Sequence, residues 1–146
     1  MPTHIRRTLR EAVATAVTGL TTTAARVYQS RMRPATDATL PCLLVTVEST
    51  DVQEWLQNNQ QRSFTVVIRG LAKAGATLDD TLDQIALEVE TAVEAAGTLT
   101  GLVPGGLALE RDEVDFDDTL EKPVGVIVLS YRAICFTRAG APGAVI

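Results

Sequence analysis

Seven acidic residues crowd into the stretch from Glu110 to Glu121: Glu110, Asp112, Glu113, Asp115, Asp117, Asp118 and Glu121. Carboxylates at this density could do one kind of chemistry, the binding of a hard divalent cation. Asp115, Asp117 and Asp118 could offer oxygens to Ca²⁺ or Mg²⁺. The spacing lacks the glycine at the sixth loop position and the terminal glutamate of an EF-hand loop. A solvated, charged connection that faces a partner is therefore the favoured reading, and no metal site is assigned.

Other catalytic arrangements find little material. His4 is the single histidine and is expected to face solvent near the start of a helix. With no nucleophile nearby it does not suggest a catalytic triad. Cys42 and Cys135 each lie inside an apolar run, as small buried hydrophobes do, and two cysteines supply neither a disulfide framework nor a metal cluster. Gly97, Gly101, Gly105 and Gly106 match neither a dinucleotide fingerprint nor a P-loop. The chain is expected to have no catalytic, cofactor-binding or metal-binding residues.

The elements that would position the acidic stretch can be read from periodicity. Ile5, Leu9, Val13, Ala16, Val17 and Leu20 recur at helical spacing, with Thr3 as the expected N-cap and Gly19 near the stop. Arg26–Met32 reads as a strand, 34–39 as an exposed loop, and Leu40-Pro41 as the entry to a second strand. There Leu43, Val45 and Val47 alternate with Cys42, Leu44 and Thr46. Residues 51–62 read as a long polar hairpin connection, followed by a strand over Ser63–Leu71. Leu78, Leu82, Ile85, Val89, Val93 and Ala96 form the stripe of a second helix. Thr77 and Asp80 suggest a capping box there, and Gly97 the stop. The acidic connection then feeds a long strand over 124–136.

The order is α-β-β-β-α-β-β, which predicts an α+β fold: a mostly antiparallel sheet of about five strands with two helices on one face. Residues 1–138 read as one domain and 139–146 as a flexible, Gly/Pro-rich tail.

At 146 residues the chain is long enough for one hydrophobic core, and its net charge of −5 argues against non-specific nucleic-acid binding. Arg6, Arg7 and Arg10, and later Arg26, Arg31 and Arg33, form two local basic groups. No apolar run reaches the ~20 residues a membrane span needs, so a soluble protein made in the cytoplasm is expected. Trp55-Leu56, an apolar pair in a polar setting, reads either as a contact surface or as a loop folded back on itself.

Three stretches together carry a resemblance. RVYQSRM leads into LPCLLVTVES; TVVIRGLAKAG hands over to TLDDTLDQIALEVETAV; and the acid-rich connection ends in EKPVGVIVLSYRAICFT. In this order they resemble the tail terminator (tail completion) proteins of long-tailed bacteriophages, the group that includes the minor tail protein U family. The resemblance runs nearly to Arg138. It implies a virion structural protein of the tail or neck, assembled in the host bacterial cytoplasm and related in fold to the tail tube subunit. Six copies would form a ring on the head-proximal end of the tube, stop its polymerisation and present a surface for head–tail joining. Its partners would be its own copies, the tail tube protein and the head–tail connector proteins. No membrane and no specific nucleic acid would be involved, with DNA free to pass through the ring.

Candidate subunit or partner contacts are Trp55, Leu56, Asp115, Phe116, Asp117, Arg6 and Arg10, with acidic 110–121 pairing to arginines of a neighbouring copy. The competing readings are another neck or tail-tube component, a small metal-dependent enzyme built on the acidic stretch, and a protein-binding module using Trp55 and Leu56.

Overall fold

The computed structural model describes residues 3–29, 40–117 and 123–146, apart from the side chain of Asp117. The order is α1 (Ile5–Ala16), β1 (Val27–Tyr28), β2 (Cys42–Trp55), β3 (Asn59–Lys73), α2 (Leu78–Ala96), β4 (Ala108–Asp117), β5 (Val124–Arg138) and β6 (Ala141–Val145). The sheet runs β1-β2-β3-β5-β4, with β6 paired to the end of β5. The fold is α+β with two helices, as expected. The sheet has six strands and is mixed, because β1 lies parallel to β2. A two-residue hairpin can only join antiparallel neighbours, whereas the connection from 29 to 41 is long enough for a crossover.

Both helices pack on one face. α1 lies over β2, and α2 over β3 and β5. Ile5, Leu9 and Val13 on α1, its C-cap Val17, and Leu82, Ile85 and Val89 on α2 are at most 1% exposed. They meet Leu43, Val45, Phe64, Val66, Ile68, Ile127 and Leu129 from the sheet. Gly70 and Gly125 let α2 settle closely. A Cβ at Gly70 would lie 2.6 Å from Ile85 Cγ2, and one at Gly125 would lie 2.7 Å from Leu78 Cδ1. The opposite face carries a smaller cluster of Cys42, Leu44, Leu71, Val124 and Val126.

Several local expectations need correction. Residues 51–62 are not a connection. β2 continues to Trp55, turns through 56–58 and returns as β3 from Asn59. β2 is buried from Cys42 to Val47 and exposed from Glu48 onward, so the hairpin runs past the helix layer. Solvent on both faces removes the apolar alternation that marks a half-buried strand. The acidic stretch is likewise a strand, β4, up to Asp117; Asp118 and Glu121 lie outside the described residues, as do 30–39. Residues 141–145, read as a tail, pair with β5 as β6, and Gly143 packs against the Thr3 backbone. Small residues there are what so close a backbone contact requires.

The cap of α1 is His4 rather than Thr3: its Nδ1 accepts the Arg6 amide at 3.1 Å. Thr77 is the N-cap of α2, but no side-chain capping bond forms. Gly97 closes α2 with φ +58. No helix among the described residues is long and apolar enough to cross a membrane.

Candidate assembly surface

β4 is an edge strand. One side pairs with β5 from Ala108↔Arg132 to Asp117↔Val124, with a bulge between Leu109 and Arg111. No described strand pairs with its other side. Register fixes which way its side chains go. Arg111, Glu113 and Asp115 lie opposite Ser130, Val128 and Val126, on the face away from the helices. Asp112, Val114 and Phe116 lie opposite Leu129, Ile127 and Gly125, on the helix face. α2 does not reach over β4, so Val114 and Phe116 stay 58% and 54% exposed.

Among the described residues, no three His, Cys, Asp or Glu side chains are grouped so as to hold a metal ion. Asp115 Oδ1 accepts the Phe116 amide at 3.0 Å, and Glu113 pairs with Arg111 at 2.8 Å.

α2 adds to the same flank. Glu88, Ala92 and Ala95 face the α1 side, where they border Leu20 and Thr21. Helical spacing then turns Asp79, Asp83, Glu90 and Glu94 toward the β4 side. Burial pushes the Tyr131 phenol of β5 up to about 12, and the nearby charges of Glu90 and Glu94 push the same way.

The basic candidates lie at the other edge. Arg6 Nη1 donates to Ser49 Oγ at 3.2 Å, and Arg10 Nε donates to Gln29 Oε1 at 3.3 Å. Both acceptors are neutral. Arg7 pairs with Glu11 one turn on, at 2.7 Å. The outer edge of β2 has no described partner strand beyond Leu44.

Trp55 and Leu56 sit at a third place, the end of the β2–β3 hairpin. Trp55 packs against Phe136 of β5 with ring centroids 4.4 Å apart and planes tilted by 46°, and it stays 38% exposed. Leu56 sits in the turn at φ +51 and is 68% exposed. The structure thus groups Asp115, Phe116 and Asp117 on β4, groups Arg6 and Arg10 on α1, and keeps Trp55 and Leu56 apart from both. Sequence reasoning missed the acidic flank of α2 as a continuation of β4, and missed Phe136 as the partner of Trp55. The Glu-Val-Asp-Phe-Asp alternation at 113–117 was the available signal for a strand.

The cysteines are poor nucleophiles. Cys42 and Cys135 are fully buried, and burial pushes both thiols up to about 11. They sit in clusters on opposite faces of the sheet.

No family model matches the chain, and no curated protein matches it. Among solved structures it is similar to a chain in the structure described as "Virion of native gene transfer agent (GTA) particle". The identity is 16% over 90% of this chain and 92% of that chain, with a TM-score of 0.49. At that level the likeness carries no argument about function.

Proposed function

We propose that the chain is a virion structural protein of a long-tailed phage or phage-like particle, a tail terminator that assembles as a ring of about six copies. The ring would cap the head-proximal end of the tail tube, stop its growth and offer a surface to the head–tail connector proteins. Two things support the reading: the resemblance of the three sequence stretches, and the elements those stretches form. LPCLLVTVES enters β2, TVVIRGLAKAG runs down β3 into α2, and PVGVIVLSYRAICFT is β5 beside the acidic β4.

The observation that carries the assembly part is the pair of sheet edges, β4 and the distal half of β2, that have no strand partner among the described residues. A sheet that ends in two long edges invites a neighbour or must be guarded against one. A ring of copies covers both edges, and its closure prevents open-ended growth.

Adding the purified protein to polymerising tail tube protein tests the reading. The expected result is shorter tubes with a ring of density at one end in electron micrographs. Unchanged tube lengths, or long tubes formed by this protein alone, would sink it.

A further inference from the structure

We infer that copies of this chain associate head to tail, the acidic flank of one (β4 with the outer side of α2) docking against the arginine-bearing flank of α1 on the next. The inference rests on the ring-forming reading and goes beyond it by naming the two surfaces.

Charge separation across the fold is the first argument. Asp79, Asp83, Glu94, Glu110, Asp112, Glu113 and Asp115 are all exposed on one flank, where Arg111 pairs with Glu113. Among the described residues, Arg6 and Arg10 bond neutral side chains on the other flank, Ser49 and Gln29. Strands β3 and β5 lie between β2 and β4, which places the flanks about 14 Å apart or more at the usual strand spacing. That exceeds the Debye length of about 8 Å at physiological salt, so the flanks cannot neutralise each other within one copy.

The second argument concerns what else could cover β4. Its edge could extend the sheet by pairing with the free β2 edge of another copy. The exposed half of that edge carries Asp51 and Glu54. Pairing it with β4 would set carboxylates beside carboxylates, which destabilises cross-strand neighbours. A two-fold pairing of β4 with itself meets the same repulsion. On the helix side of that edge, away from Asp51, Arg6 and Arg10 of α1 give a surface of opposite sign, with Arg7 paired to Glu11. Val114 and Phe116 supply exposed apolar area amid the β4 charges, giving the contact a part that salt does not screen. Because the two flanks are different surfaces, the contact is heterologous. It propagates around a ring or along a filament and does not stop at a dimer.

The test uses two full-length charge-reversed variants, Arg6→Glu/Arg10→Glu and Asp112→Arg/Asp115→Arg. Each is checked for folding by circular dichroism and then followed by sedimentation velocity and native mass at low and high salt. The wild type should self-associate, more strongly at low salt. Each variant alone should associate about tenfold more weakly or worse, because attraction becomes repulsion at several pairs. An equimolar mixture of the two should recover association, since each supplies the flank the other lacks. Variants that associate like the wild type, a mixture that recovers nothing, or a wild type that stays monomeric at low salt would overturn the inference. A wild-type ring untouched by the reversals would leave the terminator reading standing. Salt-sensitive open filaments would uphold these surfaces and count against the terminator.

Discussion

Thr22 and Glu88 clamp the loop after α1 to the middle of α2: the Thr22 amide donates to Glu88 Oε1 at 2.8 Å and the Thr22 hydroxyl to Oε2. The clamp continues, because Arg26 donates to the Thr22 carbonyl at 3.0 Å and to the Pro41 carbonyl at 2.7 Å, at the entry to β2. Burial alone would raise the Glu88 pKa; the bonds from Thr22, Gln84 and Thr21 outweigh it and hold the carboxyl below its usual 4.5. A depressed carboxyl contributes stability that is complete above pH 4.5 and is lost as pH falls through the lower folded value. Glu88→Gln should cost about 1 kcal/mol at neutral pH in urea melts, and the gap from wild type should close as the pH drops below that of an ordinary glutamate.

The two sheet glycines under α2 should differ in their tolerance of alanine. At Gly70 the new methyl meets Cγ2 of Ile85 at 2.6 Å and Cγ2 of Ile127 at 2.9 Å, both on buried β-branched residues with little room to turn. Gly70→Ala is expected to cost about 1–3 kcal/mol by overpacking. At Gly125 the obstacle is the end of Leu78, a half-buried residue in the first turn of α2. Leu78 can swing aside, so Gly125→Ala should cost less. Thermal melts of the pair give the ranking, and the reverse order would contradict the packing described.

His4 gives α1 a pH-dependent start. Desolvation, then the charges of Arg6 and Arg62, hold its pKa below 6.5, and the neutral ring is the form that accepts the Arg6 amide. The stability it contributes is complete above pH 6.5 and falls away as pH drops through the lower folded value. His4→Ala should cost about 1 kcal/mol above pH 7 and progressively less under acid. His4→Asn should keep the cap and flatten the pH dependence.

Cys42 and Cys135 should resist alkylation in the native protein near pH 8, since thiols pushed up to about 11 hold almost no thiolate there. Both should react in urea. Fast native labelling of either would show that its strand opens far more easily than its burial implies.

The helix stripes were legible because each buries one side against the sheet, and β2 through Val47 because a short apolar run buried on both faces is itself a strand signal. The hairpin beyond Glu48 was not, since polar residues on both faces look the same in an extended ribbon as in a loop. β4 hid for a related reason. Its alternation of Val114 and Phe116 with acids is intact, but α2 covers neither residue, and charge dominated the reading. β6 is short and made largely of small residues, whose pairing depends on contacts with β5 and Thr3 that no local pattern reports. The contact candidates on α1 and β4 were each visible, while their placement at opposite edges needed the strand order.

The register break between Ser49 and Asp51 in β2 sets the phase of everything beyond it. Up to Ser49 the odd-numbered residues of β2 point to the helices. Thr50 is the extra residue, and from Asp51 the odd-numbered residues point the other way, opposite Ser63, Gln61 and Asn59. Phe136, opposite Gln61, lies on that same side. One threonine therefore decides which side of the hairpin displays the chain's single tryptophan. Drawing Thr50 into the ladder opposite Ser63, so that every later pair slips by one, would turn Trp55 away from Phe136 and onto the helix side of the sheet.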